Sequence, residues 1–417
     1  MSSPVPSAFD LVAILLVLTA VFGWLNHVVI RLPHTIGLLV MALGASLILI
    51  GIEVALPDVA LYENLTAMLR RVDFRETVLN GMLAFLLFAG ALHVDLAILR
   101  MRAWTVGLIA TLGVVISTAM VGLGLWWLSS VLGVPIPLPW ALVFGALISP
   151  TDPVAVLSTL KTIDVPKALE VDMAGESLFN DGVGVVVFTM LLALAAGSGS
   201  EGGILHVAEL FFVEAFGGAA LGWVTGYLAY RAMRRIDDYP METLISLALV
   251  AGTYALAAKL HMSGPIAVVV AGILVGNRGP VDAMSDLTQK YVFGFWTLVD
   301  EIFNSVLFLL IGLEVLVLRF DPSFAGLAAV SIPLVLLGRF LAVTIPVLVL
   351  QARQEFVRGT IPVLTWGGLR GGISIALALS LPEVAEKPPL LAATYAAVVF
   401  TIVVQGLSLR AVVGRTI

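Results

Sequence analysis

Apolar residues run in long blocks along this 417-residue chain, with neither the alternation of a half-buried strand nor the one-sided periodicity of a surface helix. Stretches of roughly 20 residues, enough for a helix to cross a bilayer core, lie near 9–30, 35–52, 77–94, 103–132, 139–160, 170–197, 206–233, 243–260, 262–277, 290–318, 324–350, 361–381 and 389–410. The narrowest division is between the eighth and ninth, where only Lys259, His261 and Met262 to Pro265 intervene. The pattern predicts an all-α polytopic membrane protein of about 13 transmembrane helices, residues 1–417 forming a single transmembrane domain.

Charge placement supports that layout. With the N-terminus outside and the C-terminus cytoplasmic, 14 of the 22 lysines and arginines fall on the cytoplasmic side. Six fall outside, and two, Arg339 and Arg370, lie within spans. Cytoplasmic loops carry such an excess of positive charge. Thirteen spans also divide into two inverted six-helix repeats, with a linking helix at about 201–239. Interrupted helices at matching positions of two halves point to a transporter's binding site. The fifth span carries Ser149-Pro150-Thr151-Asp152-Pro153 and the twelfth, fifth of its half, carries Gly367-Gly368-Leu369-Arg370-Gly371-Gly372. Prolines in one and glycines in the other unwind a helix near its middle.

Composition narrows the class. The chain is 60% hydrophobic and 12% charged, with mean hydropathy +1.08; a soluble domain carries about twice that charged fraction. Its 39 glycines and 20 prolines are compatible with spanning helices. The absence of cysteine excludes disulfides, thiolate chemistry and Cys-ligated metals. No basic patch interleaved with aromatics supports nucleic-acid binding. The residues before the first apolar run lack the basic stretch of a signal peptide, so that run is expected to be a retained helix.

Polar groups inside spans carry the chemistry, because each is costly there and needs a partner or a function. In the sixth span Glu176 and Asn180 are four apart, as are Ser177 and Asp181, so all four share one stripe of a helix. That stripe must face the protein interior. The glycines at 182 and 184 let another backbone approach, and the broken fifth span would bring Thr151 and Asp152 to the same place. Oxygen donors without Cys or His suit alkali or alkaline-earth cations. Asp152 serves equally as a ligand or as a cap for the half-helix that follows it. Asn180 bonds the helix break or touches the cation. Glu176 needs a counter-charge, for which Arg339 and Arg370 are available. Asp181 has no obvious permanent partner. A carboxylate that holds a proton or a metal ion, but not both, couples the two by competition. His27, His34, His93, His206 and His261 sit near span ends and read as interfacial, with pH sensing as the alternative; Asp95, Asp300, Glu301 and Glu314, near span ends or funnel mouths, read as solvated or surface charges, with cation attraction as the alternative.

At these strings the chain resembles the monovalent cation/proton antiporter superfamily, in the branch of NhaP-type bacterial antiporters and animal sodium/proton exchangers. The resemblance rests on Ser149 to Val156, Gly175 to Gly182, Gly338-Arg339 and Gly367 to Gly372. It implies exchange of Na+, with Li+ or K+ as alternatives, for H+, serving pH homeostasis and sodium transport from the cell inner membrane. It implies a homodimer in membrane lipid, with a dimerisation part at about 1–100 and 240–320 and an ion-transporting core at about 101–200 and 321–417. Helices 5 and 12 would cross in that core. Asp181 would bind cation and proton, helped by Ser177 and Thr151; Glu176 would pair with Arg339; Asp152 and Arg370 would compensate the half-helix dipoles. The Asn180-Asp181 pair implies electroneutral exchange by an elevator-like movement. No cofactor is expected beyond the transported Na+ and H+, and no enzyme activity. The regulatory tail of the animal exchangers and the nucleotide-binding domain of potassium-linked relatives are not expected either. An intramembrane aspartyl protease would need different contexts around its two aspartates, and a cation channel would need carbonyl-rich filter repeats.

Overall fold

The computed structural model describes residues 8–55, 74–152, 154, 156, 165–197, 203–317, 321–352 and 354–416. Every regular element among them is helical. The apolar runs become α1 (Ala8–Leu25), α2 (His34–Ala55), α3 (Glu76–Leu92), α4 (Ala103–Val131) and α5 (Leu138–Leu147). Then follow α6 (Lys167–Ala195), α7 (Gly203–Met233), α8 (Tyr239–Lys259), α9 (Gly264–Asp282) and α10 (Asp286–Glu314). The chain closes with α11 (Ala325–Leu350), α12 (Thr360–Trp366), α13 (Gly372–Leu379) and α14 (Lys387–Thr416). Nine helices among the described residues are long and apolar enough to cross a membrane, while α3 and α5 are shorter. A division into thirteen spans requires α12 and α13 to count as one broken helix, and α5 to continue beyond Asp152. Residues 157–164, where that continuation would lie, are outside the described residues, as are Pro153, Ala155, Arg70, Arg71, Lys161, Arg319 and Arg353.

The densest packing falls into two groups. In one, α7 lies on α9, α9 on α3, α2 on α10 and α8 on α9. In the other, α4 packs on α5 and α11, α11 on α14, and α6 on α5. Small residues set the first group's closest contact. Gly218, Gly222 and Gly226 recur every four residues along α7 and lie against Ser263, Ala267 and Ala271 of α9. A side chain at Gly222 would run into the Ala267 backbone. On α9, Gly276 meets the Leu92 backbone of α3 in the same way. Such small-residue seams hold membrane helices together, where lipid supplies no hydrophobic drive between them. The second group contains both helix breaks and nearly every buried charge.

Each break follows from local chemistry. Ser149 and Asp152 both precede prolines, and a residue before proline is pushed out of the helical region. The second break begins where the Gly367 amide closes the last turn of α12 on the Val363 carbonyl at 2.8 Å. It ends at Gly371, the extended residue before α13. A π-helical turn at Thr401–Gln405 in α14 aims two side chains at this second break. The Thr401 hydroxyl accepts from the Arg370 amide at 3.1 Å, and the Gln405 amide donates to the Trp366 carbonyl at 3.2 Å. Backbone groups freed inside a membrane must be re-satisfied in this manner.

Candidate functional site

The two breaks meet beside the polar stripe of α6. The Asp152 amide donates to the Leu369 carbonyl at 2.8 Å, joining the breaks directly. From α6, Asn180 grips Thr151 twice: its oxygen accepts from the Thr151 amide at 3.3 Å and its nitrogen donates to the Thr151 hydroxyl at 2.8 Å. Ser177 donates its hydroxyl proton to the Thr151 carbonyl. Asn180 is thus engaged with the break, and the Ser177 oxygen keeps its lone pairs for other partners. Gly184 makes the approach possible, because a side chain there would overlap the Pro150 ring.

Charges neutralise the helix ends. Three of the four stand where the helix dipoles favour them: cations at carbonyl ends, an anion at an amide end. Arg370, buried in the second break, donates to the Ser149 and Pro150 carbonyls that α5 leaves open. Asp152 accepts from the Val154 amide at 2.9 Å, on the far side of the first break. Arg339 on α11 donates twice to the Leu364 carbonyl of α12, at 3.1 and 2.7 Å, and forms a two-pronged ion pair with Glu176. Of the two arginines open to Glu176 from the sequence, Arg339 is its partner in the structure.

Asp181 differs from all of these. It is 7% exposed and accepts no hydrogen bond from a described residue. It lines a cavity of about 390 Å³ together with Thr151, Asp152, Ser177, the start of α13, and Asp300, Glu301 and Asn304 of α10. No lysine, arginine or histidine is among the lining residues. Apolar side chains such as Leu83, Leu87 and Leu178 make up most of the wall, and the polar groups set among them are carboxylates, hydroxyls and one amide, the donor types that replace the water shell of a hard cation. No group of three or more His, Asp or Glu converges among the described residues as a divalent or transition metal would demand.

Several residues take places the sequence did not indicate. Asp300 and Glu301 line this cavity from the middle of α10. Arg102, counted with the cytoplasmic loops, forms a buried ion pair with Asp172 on α6 and stands 5.2 Å from the Phe356 ring centre. A signal for it existed, since Asp172, Glu176 and Asn180 continue a single four-residue spacing. Asp95 caps the short helix Leu96–Met101 through the amides of Ala97 and Ile98, at 2.8 and 3.2 Å. His34 lies 2.9 Å from the Ser305 hydroxyl, His27, His93 and His261 are exposed, and the His206 side chain is outside the described residues.

Comparison with known proteins identifies the family and the fold. The family model described as sodium/hydrogen exchanger, transmembrane, matches residues 14–415. The chain is 46% identical over 411 residues to the Na+/H+ antiporter NhaP of Pseudomonas aeruginosa, covering 97% of this chain and 96% of that one. It is 35% identical over 374 residues to the Na+/H+ antiporter NhaH of Halobacillus dabanensis, covering 89% and 91% respectively. In fold it is similar to the sodium proton antiporter MjNhaP1 of Methanocaldococcus jannaschii at pH 8, with a TM-score of 0.75, 17% identity and 98% of each chain covered.

Proposed function

This chain belongs to the sodium/hydrogen exchanger family, and from that premise we propose that it exchanges Na+ for H+ across the cell inner membrane, with both ions competing for Asp181. The family is one of transporters, so the polar site serves passage of ions rather than bond chemistry. The observation that carries the reading is the contrast at the site. Glu176, Arg339, Arg370, Asp152 and Asn180 are engaged with fixed partners, while Asp181 faces a cation-friendly cavity with none.

In this reading Thr151, Ser177 and Asp181 contribute oxygens to the cation and Asp152 adds charge beside them. A bare carboxylate is expensive to carry through apolar surroundings. Movement therefore proceeds when Asp181 holds either ligand and is blocked when it holds neither. The core of α4–α6 and α11–α14 shifts against the part formed by α1–α3 and α8–α10, with α7 as the link, an elevator that alternates access between the two faces. Gly272 and Gly276 let α9 pack closely on α3 within that part, which suits a stationary element. The protein works as a homodimer in membrane lipid, its N-terminus outside and its C-terminus cytoplasmic, and the Asn180-Asp181 pair makes the exchange electroneutral.

Competition is tested by measuring sodium-driven proton flux in proteoliposomes over a range of pH. The apparent KM for Na+ rises as the pH falls while the maximal rate at saturating Na+ is preserved. A maximal rate that falls with pH at saturating Na+ contradicts competition at one site. An imposed membrane potential leaves the rate unchanged; a potential-dependent reversal point contradicts electroneutrality.

A further inference from the structure

One side chain of the cavity has chemistry that the mechanism above leaves unused. Ser374, on α13, is fully buried, lines the same cavity as Asp181, and its hydroxyl has no hydrogen-bond partner among the described residues. Buried hydroxyls are almost always bonded, and an orphaned one destabilises the fold.

The reason it is orphaned is local. Helical serines usually return their proton to a carbonyl three or four residues back. Ser149 bonds Gly145, Ser305 bonds Glu301 and Ser380 bonds Leu377 in this way. Ser374 lies in the first turn of α13, so the residues three and four back, Gly371 and Arg370, belong to the break. Their carbonyls do not accept its proton.

Position completes the case. Gly371 is pressed against the Asp152 carboxylate, and Ser374 follows three residues later on the same face. The amide end of α13 would by itself repel a cation, but Asp152 stands against that end and reverses the local sign. Ser374 thus adds an unpartnered hydroxyl, closed to solvent in this structure, directly behind a wall that already carries Thr151, Ser177 and Asp181.

We propose that Ser374 is an oxygen ligand of the transported cation, the one contributed by the second broken helix, and that it sets cation affinity and the preference between Na+ and Li+. The proposal rests on the antiporter reading of this cavity. Coordination from α13 would tie both breaks to the cargo, so that loading joins the two halves of the core.

The test compares full-length wild type, Ser374→Ala and Ser374→Thr in proteoliposomes, with thermal melting of each in detergent with and without NaCl. Ser374→Ala is expected to raise the apparent KM for Na+ about 3- to 10-fold, the loss of one such contact, at a nearly unchanged maximal rate. The Na+-to-Li+ ratio of KM shifts with it. Its melting temperature without Na+ is equal to or above wild type, because an orphaned group has been removed, while the rise produced by NaCl shrinks. Ser374→Thr keeps the oxygen and retains the wild-type KM. The proposal is overturned if Ser374→Ala leaves the KM and the NaCl-induced rise unchanged, or if both variants change alike, which marks a packing effect. Wild type without sodium-driven flux overturns the antiporter reading as well; wild-type flux with an unaffected Ser374→Ala overturns this inference alone.

Discussion

The two helix breaks do opposite jobs with opposite means. The first, around Ser149 to Asp152, is made by prolines, which remove backbone donors and force the preceding residues out of the helix. It presents oxygen atoms: the Thr151 carbonyl and hydroxyl and the Asp152 carboxylate. The second, Gly367 to Gly371, is made by glycines, which make room. A side chain at Gly368 would occupy the Arg339 guanidinium, and one at Gly371 the Asp152 carboxylate. The first break therefore offers ligands and the second admits the charges that hold those ligands in place. Their two arginines differ in the same sense. Arg339 neutralises a buried carboxylate, whereas Arg370 meets only carbonyls.

That contrast is open to attack, beginning with the largest effect. Arg339→Leu strands Glu176 as a buried, unpaired charge, which costs about 3–5 kcal/mol. Arg370→Leu strands only carbonyls, so its loss is smaller; melting in detergent should rank them in that order, and the reverse ranking breaks the comparison. Gly368→Ala should come next. It pushes the Arg339 guanidinium off the Leu364 carbonyl and lowers stability by about 1–3 kcal/mol, while Gly44→Ala on α2, where the added carbon meets open space, has little effect. Asn180→Ala removes both grips on Thr151. We expect a loss of about 1–3 kcal/mol and a raised KM for Na+, read from flux assays. Gln405→Leu, which uncaps the Trp366 carbonyl on the α12 side of the second break, should cost about 0.5–1.5 kcal/mol without altering the KM; an altered KM would show that the α12 side, and not α13 alone, reaches the ion.

Much of this architecture was legible in the sequence, and the reasons are physical. Apolar run length fixes where helices form, and proline and glycine clusters locate both breaks to the residue. The four-residue spacing of Glu176 and Asn180, and of Ser177 and Asp181, was enough to bring those side chains to one helix face. Partner choice was not legible in spacing alone; it was the family resemblance that implied the pairing of Glu176 with Arg339, which the structure shows. Glu176 had two arginines within its reach, and only the fold places Arg339 at bonding distance while turning Arg370 toward α5. Arg102 was counted among the cytoplasmic-side charges with no partner named, because hydropathy cannot distinguish a loop charge from one folded back onto Asp172. For Asp300 and Glu301 the sequence left cation attraction as the alternative to a solvated role, because an apolar run does not reveal that one side of α10 faces a cavity. Ser374 was invisible because serine in a helix start is unremarkable until its hydrogen bonds are counted.

Of the three buried carboxylates on α6, Asp172 and Glu176 each have an arginine, and Asp181 has no fixed partner among the described residues, which leaves it for a cation and a proton to occupy in turn. Sodium-driven proton flux in proteoliposomes reconstituted with Asp181→Asn tests this most directly, since the amide preserves shape but can hold neither ion as a charge. Exchange is expected to fall to the level of protein-free vesicles while the variant folds and melts at or above the wild-type temperature. Retained, saturable sodium-for-proton exchange by a well-folded Asp181→Asn protein would contradict it.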